Sequence, residues 1–137
     1  ASDHHPLAEA FMRHNTDLND LAPIPFCQAS WGGPDTGIGR FDLLIGADVL
    51  YEHEHPRLLA AFLAQHANPT VQFVMTEAGR GHCGRFNTRM QEQGYTRVER
   101  RIRFGGGWPP GAGGRILTYD RTGLSDPAGS LPRGHPG

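Results

Sequence analysis

The chain has 137 residues, within the usual size of one domain, and its 13 basic and 14 acidic residues leave a net charge of -1 with histidine neutral. This balance argues against a nucleic-acid partner, and the Arg-rich run "RVERRIR" has the alternation of a solvated strand face. No apolar stretch is long enough to span a membrane, and Cys27 and Cys83 are not spaced as metal ligands. With no signal peptide visible, these features predict a cytoplasmic protein with two reduced thiols.

The two ends of the chain differ from its middle. The sequence begins with "ASDHHPLAEAF", which enters a helical pattern almost at once without a leading strand, so we expect the chain to be the C-terminal part of something longer. Residues 123–137 are rich in glycine, proline and serine with few large apolar residues, which predicts a flexible tail. Residues 1–122 then form the expected domain.

The first half of the chain predicts a helix followed by two strands. Four apolar residues fall on one face of a helix whose first turn contains Pro6: Leu7, Phe11, Leu18 and Leu21. Residues 24–30, "IPFCQAS", have the pattern of a short strand. A loop rich in glycine leads into residues 41–50, "FDLLIGADVL", a near-continuous apolar run typical of a strand covered on both faces in the middle of a parallel sheet.

A second helix and a second buried strand are predicted next. Pro56 opens the helix, because proline suits the first turn. The buried stripe of this helix is predicted to contain Leu58, Leu59, Phe62 and Leu63. The helix is expected to end in "HANP", residues 66–69, before a buried strand at residues 71–77, "VQFVMTE".

The last predicted elements are a helix and a hairpin. Phe86 and Met90 mark a third helix that stops at Gly94. Residues 95–104 alternate between apolar and polar side chains, and residues 114–121 follow after a loop rich in glycine and proline, which predicts an antiparallel pair of strands. Strands alternating with helices, followed by a hairpin, indicate an α/β fold.

Polar and aromatic residues follow several of the predicted strands. Asp48 and Tyr51 lie at the end of the long apolar run, and Glu77 takes the matching place after the next strand. Trp31 follows the short strand, and Asp3 precedes the first helix. Because ligands bind beyond the carboxyl ends of strands in an open α/β sheet, we expect these five residues to line one edge of the sheet.

The segment around Asp48 carries a resemblance to a known family. "FDLLIGADVLYE" resembles the motif after the fourth strand of the class I, or seven-strand, S-adenosylmethionine-dependent methyltransferases, in the branch called methyltransferase family 16, which includes many protein-lysine methyltransferases. Asp48 and Tyr51 have the Asp-x-x-Tyr spacing of that branch. "ASDHHPLAEAFMRHNTDLN" resembles the end of the second strand and the following helix, and "SWG" resembles the step after the third strand. The resemblance covers residues 1–121.

The resemblance implies methyl transfer from S-adenosylmethionine to a protein or small-molecule acceptor, and it assigns roles to individual residues. Asp3 would bind the ribose hydroxyls of the cofactor. The adenine side would be held by the residues of the "SWG" step: Ser30, Trp31 and Gly32. Ala47 and Asp48 would lie beside the methyl donor, and Asp48 with Tyr51 would form the catalytic pair that contacts the acceptor. Glu77 and Ala78 replace the Asp-Pro of bacterial relatives after the fifth strand.

The family's first strand and its glycine-rich turn have no counterpart in this sequence. Residues 32–39 and 105–114 are glycine-rich, but each leads into a strand and is therefore a loop by context. The first strand would lie between strands two and four, so we expect a partial Rossmann-like methyltransferase sheet with a gap at its centre. Strands four to seven, in residues 41–121, are expected to keep the main core.

Other interpretations stay open. The chain could be a noncatalytic methyltransferase-like remnant that acts as an interaction module, or self-associates, through exposed strand edges. A small nucleotide-binding module would need a phosphate loop at a helix start, and none is seen. The eight histidines lack the spacing of zinc ligands, so no metal is predicted. Asp48 could simply cap a turn, and Tyr51 and Trp31 could be packing aromatics.

Overall fold

The computed structural model describes residues 1–79, 81–109 and 112–123. The predicted tail lies outside these residues, apart from Gly123. Strands and helices alternate along the described residues in this order: β1 (Ser2–Asp3), α1 (Ala8–Leu18), β2 (Cys27–Gln28), β3 (Phe41–Ala47), α2 (His55–His66), β4 (Ala67–Glu77), α3 (Cys83–Glu92), β5 (Thr96–Arg103) and β6 (Gly113–Arg121). None of these helices is long and apolar enough to cross a membrane.

The strands form two separate sheets. β1 and β2 make a two-stranded parallel sheet, and the other four strands are ordered β3-β4-β6-β5. β3 runs parallel to β4, whereas β6 is antiparallel to both of its neighbours. The predicted α/β fold with a C-terminal antiparallel hairpin is therefore confirmed. So is the expected gap, because no described strand connects β1 with β3.

The hydrophobic core lies on one face of the four-stranded sheet, under α2 and α3. Its buried residues are Leu50, Leu59, Ala60, Leu63, Ala67, Val71, Phe73, Met75, Cys83, Phe86, Met90, Tyr95, Leu117 and Tyr119. Phe73 on β4 packs against Phe86 of α3 and Tyr119 of β6, with ring centroids 6.0 Å apart in both pairs. All members of the cluster fall within residues 50–119, inside the predicted core segment of 41–121.

The helices covering this core begin and end at the residues that local chemistry favours. Pro56 lies in the first turn of α2, where its missing amide proton costs nothing. After α3, Gly94 adopts a φ of 84°, a left-handed conformation that ends a helix and suits glycine. The predicted end of α2 in "HANP" is wrong by three residues, because the helix ends at His66 and Ala67 already belongs to β4.

The prediction that residues 41–50 form a central strand covered on both faces is wrong for this chain. β3 pairs only with β4 among the described residues, so it is an edge strand. Phe41, Leu43 and Ile45 are exposed, and Ile45 keeps 75% of its surface accessible. The apolar run correctly marks a strand, but a strand is buried only if other elements cover it.

The N-terminal elements are less embedded than their sequence pattern indicates. All four residues of the apolar face predicted for the first helix are exposed: Leu7, Phe11, Leu18 and Leu21. The strand predicted at residues 24–30 is paired only over Cys27–Gln28. Apolar periodicity identifies the side of a helix that can pack, and in the described part of this chain that side of α1 has little to pack against.

Candidate active site

A crevice of about 320 Å³ opens where β1, β2 and β3 end. We call it the crevice below. Its walls come from the ends of the three strands and from the loop that leads into α2: Ser2, Asp3, His4, Ala29, Ser30, Trp31, Ala47, Asp48, Val49, Tyr51, Glu52, His55 and Leu58. The structure thus brings together six of the predicted site residues, namely Asp3, Ser30, Trp31, Ala47, Asp48 and Tyr51.

Asp48 is held in an uncommon backbone conformation at the end of β3. Its φ is 50°, in the left-handed region that aspartate tolerates better than most residues. The Asp48 amide is within 3.2 Å of both the carbonyl oxygen and the hydroxyl Oγ1 of Thr76 on β4, which fixes the turn. Gly46 allows the close approach of the turn, since a Cβ there would lie 3.0 Å from Cγ2 of Val49. Neighbouring strands therefore hold the Asp48 carboxylate at the crevice.

Asp3 lies on the opposite wall, at the end of β1. The amide of Ala29 donates to the Asp3 carbonyl oxygen at 3.0 Å, which pairs this residue with the end of β2. The Asp3 carboxylate oxygen Oδ1 accepts a hydrogen bond from the His5 amide at 2.8 Å. This local turn fixes the half-exposed carboxylate at the mouth of the crevice, in front of the residues that lead into α1.

His55 joins the aromatic residues of the crevice, and sequence reasoning missed it. Its ring makes edge contacts with Trp31 and Tyr51, at centroid distances of 5.2 and 4.3 Å. Only 12% of its side chain is exposed. Its Nδ1 accepts a hydrogen bond from the Glu52 amide at 3.3 Å, so a neutral ring carries its proton on Nε2, which lies 3.6 Å from the Glu52 carboxylate. The first residue of α2 thus orders both predicted aromatic residues.

We expect the substitution His55→Ala to loosen Trp31, because the indole would lose its edge contact. In a Trp108→Phe background Trp31 is the only tryptophan, and its fluorescence emission should shift to longer wavelength on His55→Ala and stay near the parent value on His55→Phe. Two aromatic contacts of about 0.5–1.5 kcal/mol each put the loss of stability at about 1–3 kcal/mol.

The matched control for this experiment is His53→Ala, in the same loop. His53 is exposed and contacts Glu54 and Arg85 instead of the crevice. Its replacement should leave Trp31 emission unchanged. An equal red shift in both variants would show that the loop as a whole, and not the His55 ring, orders Trp31.

Two residues expected at this edge do not line the crevice. Gly32 packs next to α2, where a Cβ would lie 3.3 Å from Cδ2 of Leu58. Glu77 is buried and accepts a hydrogen bond from Nε of Arg115 at 2.9 Å. Arg115 is its cross-strand partner on β6, and this bond raises the pKa of the guanidinium. Glu77 therefore stabilises the sheet, and the expectation that it lines the crevice is wrong.

Cys83 is also a structural residue. The arginines and histidine near it in the sequence suggest a lowered pKa, but burial raises the pKa of its thiol, and the nearby Glu77 raises it further. Its Sγ contacts Oδ1 of Asn87, which also accepts a hydrogen bond from the Tyr119 hydroxyl. Within the described ranges, no group of three or more histidine, cysteine or carboxylate side chains is placed to hold a metal ion.

The chemical character of the crevice favours a cationic ligand. Three carboxylates line it, from Asp3, Asp48 and Glu52, and the lining includes no arginine. Aromatic rings stand beside these carboxylates. Carboxylates attract a positive charge directly, and aromatic faces attract it through the ring quadrupole. A sulfonium or ammonium group attached to an apolar or aromatic body matches this lining.

Comparison with known proteins points to one group of enzymes. No protein-family model matches the chain, and no curated protein matches its sequence. Solved structures do match. A methyltransferase from Pyrococcus furiosus superposes with a TM-score of 0.67 at 17% identity, over 89% of this chain and 61% of that one.

Two further structures contain a cofactor or its product. Magnesium protoporphyrin IX methyltransferase from Synechocystis PCC 6803, with bound SAM, has a TM-score of 0.62 at 17% identity, over 88% of this chain and 58% of that one. The N-methyltransferase NodS from Bradyrhizobium japonicum WM9, in complex with S-adenosyl-L-homocysteine, has a TM-score of 0.61 at 17% identity, with coverage of 88% and 64%.

The shared region is large for this chain and partial for the others. The chain spans about 60% of the length of the first two methyltransferases named. Its separate sheets and the gap between them are consistent with that partial coverage. At this level of identity the comparison concerns the fold. The chain has part of the α/β fold found in S-adenosylmethionine-dependent methyltransferases.

Proposed function

We propose that the chain forms part of an S-adenosylmethionine-dependent methyltransferase and that the crevice binds the methyl donor. The observation that carries this proposal is the convergence of Asp3, Trp31, Asp48 and Tyr51, which lie on separate segments of the sequence, on one crevice at the carboxyl ends of parallel strands. Ligands of open α/β sheets bind at that edge. The bound cofactor and product in two structural neighbours support the same assignment.

The residues of the crevice fit the parts of this cofactor. The Asp3 carboxylate is an acceptor for a pair of ribose hydroxyls. Ser30 and Trp31 lie beside it, where they would contact the adenine, while Gly32 would act only through its backbone. S-adenosylmethionine supplies an activated methyl group on a positively charged sulfur. Asp48 and Ala47 would lie beside that charge, and the carboxylate would stabilise it.

The acceptor side of the reaction falls to Asp48 and Tyr51. We assign the acceptor to the amines, either a protein lysine or another nitrogen nucleophile, because a carboxylate and a phenol can orient an N–H group and accept its hydrogen bonds. Methyl transfer requires mainly alignment and exclusion of water, so a strong general base is unnecessary. His55, packed on Tyr51, is a positioning residue for this pair. The free thiols of Cys27 and Cys83 support a cytoplasmic location for the protein.

Calorimetric titration of the 137-residue chain with S-adenosyl-L-homocysteine, and separately with S-adenosylmethionine, tests the proposal. We expect saturable binding of one molecule per chain. Asp3→Ala should weaken it about tenfold, because a charge-assisted hydrogen bond contributes about 1.5–3 kcal/mol. The matched control is Asp17→Ala, since Asp17 is an exposed aspartate of α1 outside the crevice. Absence of binding at millimolar ligand would contradict the proposal and favour a noncatalytic remnant.

A further inference from the structure

A second and larger cavity separates the two sheets. It has a volume of about 760 Å³ and lies between β1–β2 on one side and β3 on the other. We call it the groove. Its walls are mainly apolar and include Phe26, Ile38, Phe41, Leu43, Ile45 and Phe62. Contiguous apolar surface of this kind is uncommon on a monomer and marks a site of interaction.

The backbone on the β1 side of the groove presents one open edge. The amides of Cys27 and Ala29 donate to the carbonyl oxygens of Ala1 and Asp3, both at 3.0 Å. Ala1 and Asp3 therefore direct their peptide groups toward β2. Because these groups alternate along a strand, the N–H and C=O of Ser2 are directed the other way, into the groove.

The backbone on the β3 side presents the opposing edge. The amide of Asp48 donates to the carbonyl oxygen of Thr76, so alternate residues before Asp48 also face β4. The intervening residues, Leu43 and Ile45, direct their N–H and C=O groups away from β4 and toward the groove. Within the described ranges no strand pairs with this edge.

The two edges run in the same direction. The amino-terminal ends of β1 and β3 meet across the groove, which Ala1 and Phe41 both line. Their carboxyl-terminal ends meet across the crevice, which Asp3 and Ala47 both line. One extended chain lying between them would therefore pair with both edges in the parallel sense.

We propose that the groove binds one extended segment of a partner polypeptide, rich in β-branched apolar residues, which adds as a parallel strand between β1 and β3. A polypeptide fits better than a lipid or a small apolar molecule, because only a backbone offers donors and acceptors to two facing rows of peptide groups. Apolar side chains match the walls. β3 is seven residues long, so a segment of about six residues, extending about 20 Å, spans the groove.

A second copy of this chain matches the groove less well than such a segment. Two copies associating through their β3 edges would pair β3 with β3 and leave the Ser2 edge of β1 without a partner. The added strand instead joins both sheets. It also fixes the crevice, since Asp3 and Trp31 follow one sheet while Asp48 follows the other. The inference concerns assembly of the sheet and does not depend on methyl transfer.

The probe for this proposal is the synthetic peptide acetyl-Lys-Thr-Val-Val-Ile-Val-Thr-Lys-amide, added to the 137-residue chain without cofactor. We expect saturable binding in a one-to-one ratio. Amide hydrogen exchange at Ser2, Leu43 and Ile45 should slow together by at least about tenfold. Slowing at Leu43 and Ile45 without Ser2 would show addition to a single edge and overturn the proposal, as would no slowing at all.

Two modified peptides test pairing on both edges with the wild-type chain. One carries N-methyl groups on alternate residues and the other on the intervening residues, so each loses its donors toward one neighbouring strand. Both should bind at least about tenfold more weakly, because each peptide leaves one row of backbone groups unmatched. Full binding by either peptide contradicts insertion between the two edges.

A pair of variants of the chain locates the site. Ile45→Glu places a charge in the groove and should abolish peptide binding. Val98→Glu is the matched control, because Val98 is 63% exposed on β5, the opposite edge strand of the same sheet. Loss of binding in both variants overturns the proposal. So does a concentration-dependent dimer of the wild-type chain that Ile45→Glu converts to monomer, because the occupant would then be a second copy.

Discussion

The substitution Phe73→Ala is expected to lower the free energy of unfolding by about 3–5 kcal/mol, the usual cost of deleting a buried phenylalanine ring and leaving a cavity. Phe73 is 2% exposed and packs between Phe86 and Tyr119, which belong to different elements. A domain of this size is stable by about 5–15 kcal/mol, so the loss is a large fraction of the total. Urea denaturation followed by circular dichroism measures it.

The matched control for this core is Phe11→Ala on α1. Phe11 is 64% exposed, although its position in the sequence predicts a packing face. The same change of side chain should cost less than about 0.5 kcal/mol there, because it removes few contacts. Comparable losses at both sites would mean that α1 belongs to the core, which contradicts the burial of the two residues in this structure.

The elements that the sequence predicts well are those whose signals are local. Gly94 ends α3 because glycine adopts a positive φ at little cost, and Pro56 begins α2 because proline suits a first turn. The alternation in residues 95–104 predicts a strand exposed on one face. Such signals depend on a few consecutive residues, so they survive whatever the rest of the chain does.

Burial could not be predicted in the same way. The apolar run of β3 is correct as a strand but wrong as a covered strand, since coverage depends on elements that lie elsewhere in sequence. The same limit applies to α1, whose apolar face stays exposed. In this chain the exposed strand and the exposed helix lie on either side of the gap between the two sheets, where the expected first strand of the family has no counterpart.

The candidate site follows the same division. Asp3, Trp31 and Asp48 could be placed together because the carboxyl ends of parallel strands meet at one edge. His55 could not, since its role comes from ring contacts formed only when α2 packs beside the loop. Glu77 was misplaced because its partner Arg115 lies on β6, and no sequence signal gives the register that pairs them.

The hydrogen bonding within β4 predicts the slowest hydrogen exchange in the chain. β4 lies between β3 and β6 and is paired on both sides, and Val71, Phe73 and Met75 along it are buried. Amides of residues 71–76 should exchange only when the whole core unfolds. A core stable by about 5 kcal/mol would slow them by at least about a thousandfold relative to unstructured amides.

Exchange in the smaller sheet should be far faster. β2 is paired over two residues, and the amides of Cys27 and Ala29 donate to a strand that is itself two residues long. Little apolar burial opposes opening there, so protection in residues 24–30 should stay below about tenfold. Mass spectrometry of the purified chain, with peptides covering residues 24–30 and 71–76, measures both segments in one sample. Equal protection in the two segments would show that the sheets close on each other in solution, because a stable β1–β2 pair needs a partner that only β3 can then supply.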